Sequence, residues 1–123
     1  MAKKILVVDD EPQIVLLISS RLKAQGYEVI SANDGQAGLE MAQKNQPDLM
    51  ILDLMLPKIE GYKVCALLKN DYRYAKIPII ILSAKAQDED RQMALQMGAN
   101  EYLVKPFKAD VLLERVAALI SAA

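Results

Sequence analysis

An unbroken apolar run, Leu49-Met50-Ile51-Leu52, leads straight into the carboxylate of Asp53. Other apolar runs end in reactive groups too: Ile5 to Val8 in Asp9-Asp10, Ile79 to Leu82 in Ser83, and Tyr102 to Val104 in Lys105. Short apolar runs bounded by turn residues read as strands buried on both faces. In open α/β sheets, ligands bind at the C-terminal strand edge. Acids, a hydroxyl and an ammonium therefore converge on one edge. Two carboxylates about 4 Å apart repel by roughly 4 kcal/mol at an effective dielectric of about 20, so a proton or a cation must relieve them. An all-oxygen, carboxylate-rich set with room for water suits Mg²⁺ rather than zinc. The cation turns a cluster that repels phosphate into one that accepts it. The expectation is that Asp53 is a nucleophile for a phosphoryl group. Asp9, Asp10 and a backbone carbonyl from the loop after Asp53 would complete the cation site.

Each residue also has a plainer role open to it. Asp10 suits a cap on the first helix. Asp53 suits a turn, Ser83 a helix entry, and Lys105 a solvated surface. Taken one at a time these roles are reasonable. Taken together they leave unexplained why all four groups fall at strand ends on one edge.

The elements that must position these groups alternate. A strand over Ile5–Val8 precedes a helix from Glu11-Pro12 through Leu22, with Gly26 as its stop; Pro and acids suit a first turn. Val15 and Leu16 widen the apolar face of this helix, which reads as a broad core face. Tyr27–Ser31 is the second strand, and Asn33-Asp34-Gly35 is a turn. A helix spans Gln36–Lys44, the central strand ends at Asp53, and a helix spans Gly61–Asn70. Ile79–Leu82 is the fourth strand, Asp88–Met97 a helix stopped by Gly98, Tyr102–Val104 the last strand, and Asp110–Ile120 the last helix. Five strand–helix repeats with short links predict one doubly wound α/β domain over 1–123, with a five-stranded parallel sheet and right-handed crossovers. The second strand delivers only Ser31. That places it at an edge and gives the flavodoxin-like order 2-1-3-4-5.

Composition narrows the chemistry further. With 123 residues, 53% hydrophobic, the chain can bury a sizeable core, and its net charge of −1 argues against direct nucleic-acid binding. There is no histidine, which removes histidine metal sites and Ser-His-Asp catalysis. The one cysteine, Cys65, sits in an apolar helical pattern and reads as a small core residue. The first apolar run is too short for a signal core or a membrane span, so the expected location is the cytoplasm, without membrane insertion.

Asp9-Asp10, Asp53 with Met55-Leu56-Pro57 and Gly61, Ser83-Ala84, and Gly98-Ala99 through Tyr102 to Lys105-Pro106-Phe107 together resemble the receiver domain of two-component response regulators. The resemblance runs the length of the chain in order and spacing. It implies that Asp53 is the phosphoacceptor. Asp9, Asp10, Asp53 and the main-chain carbonyl of Met55 would hold Mg²⁺. Lys105 would pair with the phosphoryl oxygens, and Ser83 would move to bond them. Tyr102 would be the aromatic switch that follows, and Lys105-Pro106 a cis peptide. The implied donor is a phosphohistidine on a sensor histidine kinase or a histidine phosphotransfer protein. The implied read-out is a downstream target or an output domain. A homodimer through the fourth helix, last strand and last helix also follows, around Arg91, Glu101, Tyr102 and Arg115. The last helix resembles, loosely, regulators that carry a DNA-binding output domain. Such chains are phosphoacceptor switches rather than turnover enzymes, although they catalyse their own phosphorylation and dephosphorylation. Met55, two residues beyond Asp53, offers no strong hydrogen bond to an attacking water, which implies slow self-dephosphorylation.

Three other readings compete. A flavodoxin-like cofactor binder needs a Ser-, Thr- or Gly-rich phosphate loop after the first strand, where Asp9-Asp10-Glu11-Pro12 stands instead. An aspartate-nucleophile phosphatase usually wants a second acid two residues on, where Met55 stands. A phosphorylation-independent docking module would have no use for the acidic edge.

Overall fold

The computed structural model describes residues 2–121. Strands and helices alternate: β1 (Lys4–Val8), α1 (Pro12–Ala24), β2 (Glu28–Ala32), α2 (Gly35–Asn45), β3 (Leu49–Asp53), α3 (Gly61–Lys69), β4 (Ile79–Ser83), α4 (Asp88–Gln96), β5 (Glu101–Val104) and α5 (Ala109–Ser121). The strands form one parallel sheet in the order β2-β1-β3-β4-β5, the order expected from the sequence. Val8 lies beside Leu52, and Asp53 beside Leu82, so β1, β3 and β4 end at one level.

Alternation along each strand divides the core into two layers. Ile5, Val7, Leu49, Ile51, Ile80 and Leu82 pack with Ile18 and Leu22 of α1 and Leu112 and Val116 of α5. Leu6, Val8, Met50, Leu52, Ile79 and Ile81 face the other way, onto Ala42 of α2, Val64, Cys65 and Leu68 of α3, and Ala94 of α4. Both faces of β3 and β4 are therefore covered, which is why their sequences are continuous apolar runs.

Several local readings shift. The broad core face expected for α1 holds in part: Ile18 and Leu22 are buried and Ile14 and Val15 pack against the core, while Leu16 stays 69% exposed and Leu17 43%. Asp10 does not cap this helix. Glu11 occupies the N-cap position, and no side chain caps the helix there. Gly35, expected in a turn, is the first residue of α2, because the Asp34 carboxylate accepts from the Ala37 N–H at 2.7 Å and starts the helix. The Asp34 carboxylate also lies 3.6 Å from Lys58 Nζ, and the Gly35 N–H donates to the Pro57 carbonyl at 3.1 Å. A Cβ at Gly35 would run into the main-chain oxygen of Ile59. The start of α2 is thus seated directly against the loop that follows Asp53.

Cys65 is buried as expected, its thiol turned to the Met97 carbonyl at 3.6 Å. Burial pushes the thiol up to about 11, against a small opposing pull from Lys69. Helix α4 is held by little: Ala94 is the buried residue among its nine. Among the described residues, no helix is long and apolar enough to cross a membrane.

Candidate functional site

Each reactive group stands where its strand runs out. Asp9 follows β1 and is 1% exposed. Its main-chain N–H continues the sheet to the Ala32 carbonyl, and its carboxylate accepts from the Glu11 N–H at 2.9 Å. Asp10, next along, is exposed. Asp53 ends β3 and is buried, with the Met55 N–H donating to its Oδ1 at 3.3 Å. One carboxylate oxygen each from Asp9, Asp10, Glu11 and Asp53 lie within 4.8 Å of one another. Residues 44 positions apart along the chain therefore meet in one acidic cluster.

Lys105 reaches into that cluster from the end of β5. Its main-chain N–H donates to the Ser83 carbonyl at 2.7 Å, which fixes where its side chain departs. Its Nζ donates to Asp9 Oδ2 at 2.9 Å and Glu11 Oε1 at 3.2 Å, and stands 3.5 Å from Asp53 Oδ2. The Lys105-Pro106 peptide is cis. A cavity of about 310 Å³ opens over these groups, lined by Asp10, Glu11, Asp53, Met55, Ala84 and Lys105. A larger cleft of about 660 Å³ lies beyond Asp9 and Asp10, along Val15, Leu16, Ala37 and Met41, but neither Asp53 nor Lys105 lines it. The smaller cavity is the one that holds the convergent chemistry.

The electrostatics follow from burial and crowding. Burial, and then the negative charge of Asp9, push the Asp53 carboxyl above its ordinary 3.8, against the charge of Lys105, the Met55 N–H and the Lys105 hydrogen bond. Burial alone would lower the Lys105 ammonium. The Asp9 hydrogen bond and the charges of Asp53 and Asp9 more than offset it, so its pKa is raised and the amine stays charged. An acid with a raised folded pKa gives stability that is present below its ordinary value and lost as pH rises through the folded one. Asp53→Asn is therefore expected to raise the denaturation midpoint of the metal-free protein at neutral pH, with the gain fading below about pH 4. Chemical denaturation at both pH values, without divalent cations, checks this. A variant less stable than wild type at neutral pH refutes it.

Ser83 and Tyr102 are not in the cavity lining. The Ser83 side chain is fully buried at the end of β4, where its Oγ accepts from the Lys85 N–H at 3.0 Å. Tyr102 is 2% exposed, and its hydroxyl donates to the Lys85 carbonyl at 2.8 Å. The Arg91 guanidinium lies over its ring, 5.5 Å from the centroid. Both hydroxyls thus bond the main chain of one residue, Lys85. Glu11 was not among the candidates from sequence. Its first-turn position suggests only a dipole role, and nothing local signals a partner 94 positions away.

Residues 5–117 match the family described as the response regulator receiver domain. The chain belongs to that family. The receiver is 45% identical over 117 residues to the DNA-binding dual master transcriptional regulator RpaA of Synechocystis sp., an overlap covering 95% of this chain and 48% of that protein. It is 43% identical over 120 residues to the alkaline phosphatase synthesis transcriptional regulatory protein PhoP of Bacillus subtilis, covering 98% and 49%. The receiver thus spans about half the length of these curated relatives. Among solved structures it resembles the receiver domain of the Francisella response regulator 1452, with a TM-score of 0.91, 32% identity, and 98% of each chain covered. It also resembles the chemotaxis response regulator CheY4 of Vibrio cholerae, with a TM-score of 0.90 and 33% identity over 97% and 99% of the two chains.

Proposed function

We propose that this receiver takes a phosphoryl group onto Asp53 from a phosphohistidine on a sensor histidine kinase or histidine phosphotransfer protein. The observation that carries the reading is the meeting of Asp9, Asp10 and Asp53 with Lys105 at one end of the sheet. The donor set is all hard carboxylate oxygen, clustered and net negative, which fits Mg²⁺. Asp9, Asp10, Asp53 and the main-chain carbonyl of Met55 would hold it. When bound, it would offset most of the acids' charge and draw charge from the transferring oxygens.

The chain's own residues account for the rest. A carboxylate oxygen of Asp53 attacks phosphorus, the P–N bond to the donor imidazole breaks, and an acyl phosphate remains. The Met55 N–H holds the other side of the carboxylate in place. Lys105 Nζ, already 3.5 Å from Asp53, supplies a cation to the phosphoryl oxygens. Ser83, buried at the end of β4 with its Oγ accepting from the Lys85 N–H, would turn its hydroxyl proton to a phosphoryl oxygen and draw the loop inward. Tyr102 holds the carbonyl of that same Lys85, so a shift of the loop passes to the ring and to Arg91 over it. Phosphorylation adds about −1.5 to −2 charges. Moving a two-state equilibrium from 1:99 to 99:1 takes about 5.5 kcal/mol. Two or three new charge-assisted hydrogen bonds, each about 1.5–3 kcal/mol, reach that size.

The read-out surface is α4, β5 and α5, where Arg115 of α5 pairs with Glu101 at 3.0 Å and Arg91 of α4 lies over Tyr102 on the other face of β5. A downstream target, an output domain or a second copy of the chain would read it. The protein acts as a switch and not as a turnover enzyme, works in the cytoplasm, and binds no nucleic acid through this domain.

Incubation with acetyl phosphate and Mg²⁺, followed by intact mass, tests the reading. One added phosphoryl group is expected on wild type and none on Asp53→Asn. No mass gain on wild type would end it. Met55 is 60% exposed at the cavity edge and cannot align a water, so the acyl phosphate should be long-lived. Met55→Asn is expected to shorten its lifetime several-fold; a longer-lived phosphate in the variant refutes that.

A further inference from the structure

Glu11 has no task in the scheme above, yet its carboxylate is one of the four that cluster. It stands at the N-cap of α1 without capping the helix, and its Oε1 instead meets Lys105 Nζ at 3.2 Å. Its side chain is 54% exposed, so it forms the outer, solvent-side wall of the cavity. Asp9 and Asp53, the other two partners of Lys105, are the acids a cation would engage. Glu11 is then the partner left to Lys105 alone.

Charge counting shows what this does. Four carboxylates and one ammonium leave the cluster at −3. A bound divalent cation brings it to −1, and that remaining charge equals the one Glu11 contributes. A phosphoryl donor meets this charge before it meets Asp53.

We infer that Glu11 is a positioning and selectivity residue: it holds the Lys105 ammonium toward the mouth of the site and, by its charge, slows loading from small, multiply charged phosphodonors. This rests on the proposed phosphoacceptor role of Asp53. The same charge works in opposite directions on the two ions that enter. It attracts the cation and repels the donor, so neutralising it should weaken one and speed the other. A residue with a purely structural role would not split the two.

The test compares wild type with Glu11→Gln, which keeps the side-chain length and the main-chain contacts. At saturating Mg²⁺ and low salt, loading from acetyl phosphate, a dianion at neutral pH, should rise about threefold, the size of one screened charge several ångströms from a dianion. Loading from phosphoramidate, with one net negative charge, should rise less, and both gains should shrink as salt is added. Mg²⁺ affinity, read by titration calorimetry without any donor, should fall about two- to threefold. Equal loading rates in variant and wild type, gains independent of donor charge and salt, or Mg²⁺ affinity that rises would each overturn the inference while leaving the phosphoacceptor role intact. A wild type that gains no phosphoryl group overturns that role, and the assignment of Glu11 with it.

Discussion

Lys105→Met is expected to destabilise the metal-free protein by about 3 kcal/mol, a loss that saturating Mg²⁺ largely restores. The ammonium is the cation that lies between the carboxylates of Asp9 and Asp53, which are 1% and 5% exposed at the side chain. Methionine keeps the length of the stem and removes the charge. Two buried acids then face each other without a counter-ion. Removing one partner of a buried ion pair typically costs about 3–5 kcal/mol, because the charge left behind is desolvated and unpaired. Here Asp10 and Glu11 add to the crowding. Mg²⁺ supplies the missing positive charge, so urea midpoints measured with the cation and with a chelator should separate widely for the variant and narrowly for wild type. A Lys105→Met protein as stable as wild type in chelator would show that the acids are not held against each other by this lysine.

The second large effect is expected at a residue outside the cavity. Gly35→Ala should cost about 3 kcal/mol or more, since the added Cβ is fixed to the helix backbone and the Ile59 oxygen it meets is main chain, so no rotamer change can separate them. The added methyl meets the Ile59 oxygen. The loop must lift, or α2 must lose its first turn along with the Gly35–Pro57 hydrogen bond. Gly26→Ala is a useful contrast. Gly26 has a φ of +92° but open space around the would-be Cβ, so only left-handed strain of about 1 kcal/mol applies. Denaturant midpoints of the two variants should differ clearly. Equal losses would mean that α2 is not seated on the loop as described. Because that loop carries Met55, Gly35→Ala should also weaken Mg²⁺ binding, while Gly26→Ala leaves it unchanged.

The architecture was legible because burial on both faces forces β1, β3 and β4 into continuous apolar runs, and the first polar residue after each run, Asp9, Asp53 or Ser83, marks the edge of the sheet. Strand order followed from the one strand, β2, that brings no reactive group beyond Ser31. Element ends moved by a residue or so. Asn33-Asp34-Gly35 has the residue types of a turn, yet Asp34 three residues before Ala37 is a capping signal in plain view. On α1, Val15 joins the core face while Leu16 does not. Leu16 is apolar by type, and only packing decides that it faces solvent. Proximity of Asp9, Asp10, Asp53 and Lys105 followed from topology, since parallel strands end together. Contacts made by long side chains did not. The reach of Glu11 to Lys105 and the tether of Tyr102 to the Lys85 carbonyl depend on rotamers and loop paths that no local spacing encodes.

The lone sulfhydryl in α3 offers a built-in clock for the molecule's own breathing. Cys65 is 1% exposed, and its proton leaves only near pH 11, so an alkylating reagent finds almost no thiolate within reach while the fold is closed. Each adduct therefore records an excursion in which the core around Cys65 has opened. Counting adducts against time, with and without a phosphodonor, would time those excursions directly, with no dye and no engineered label.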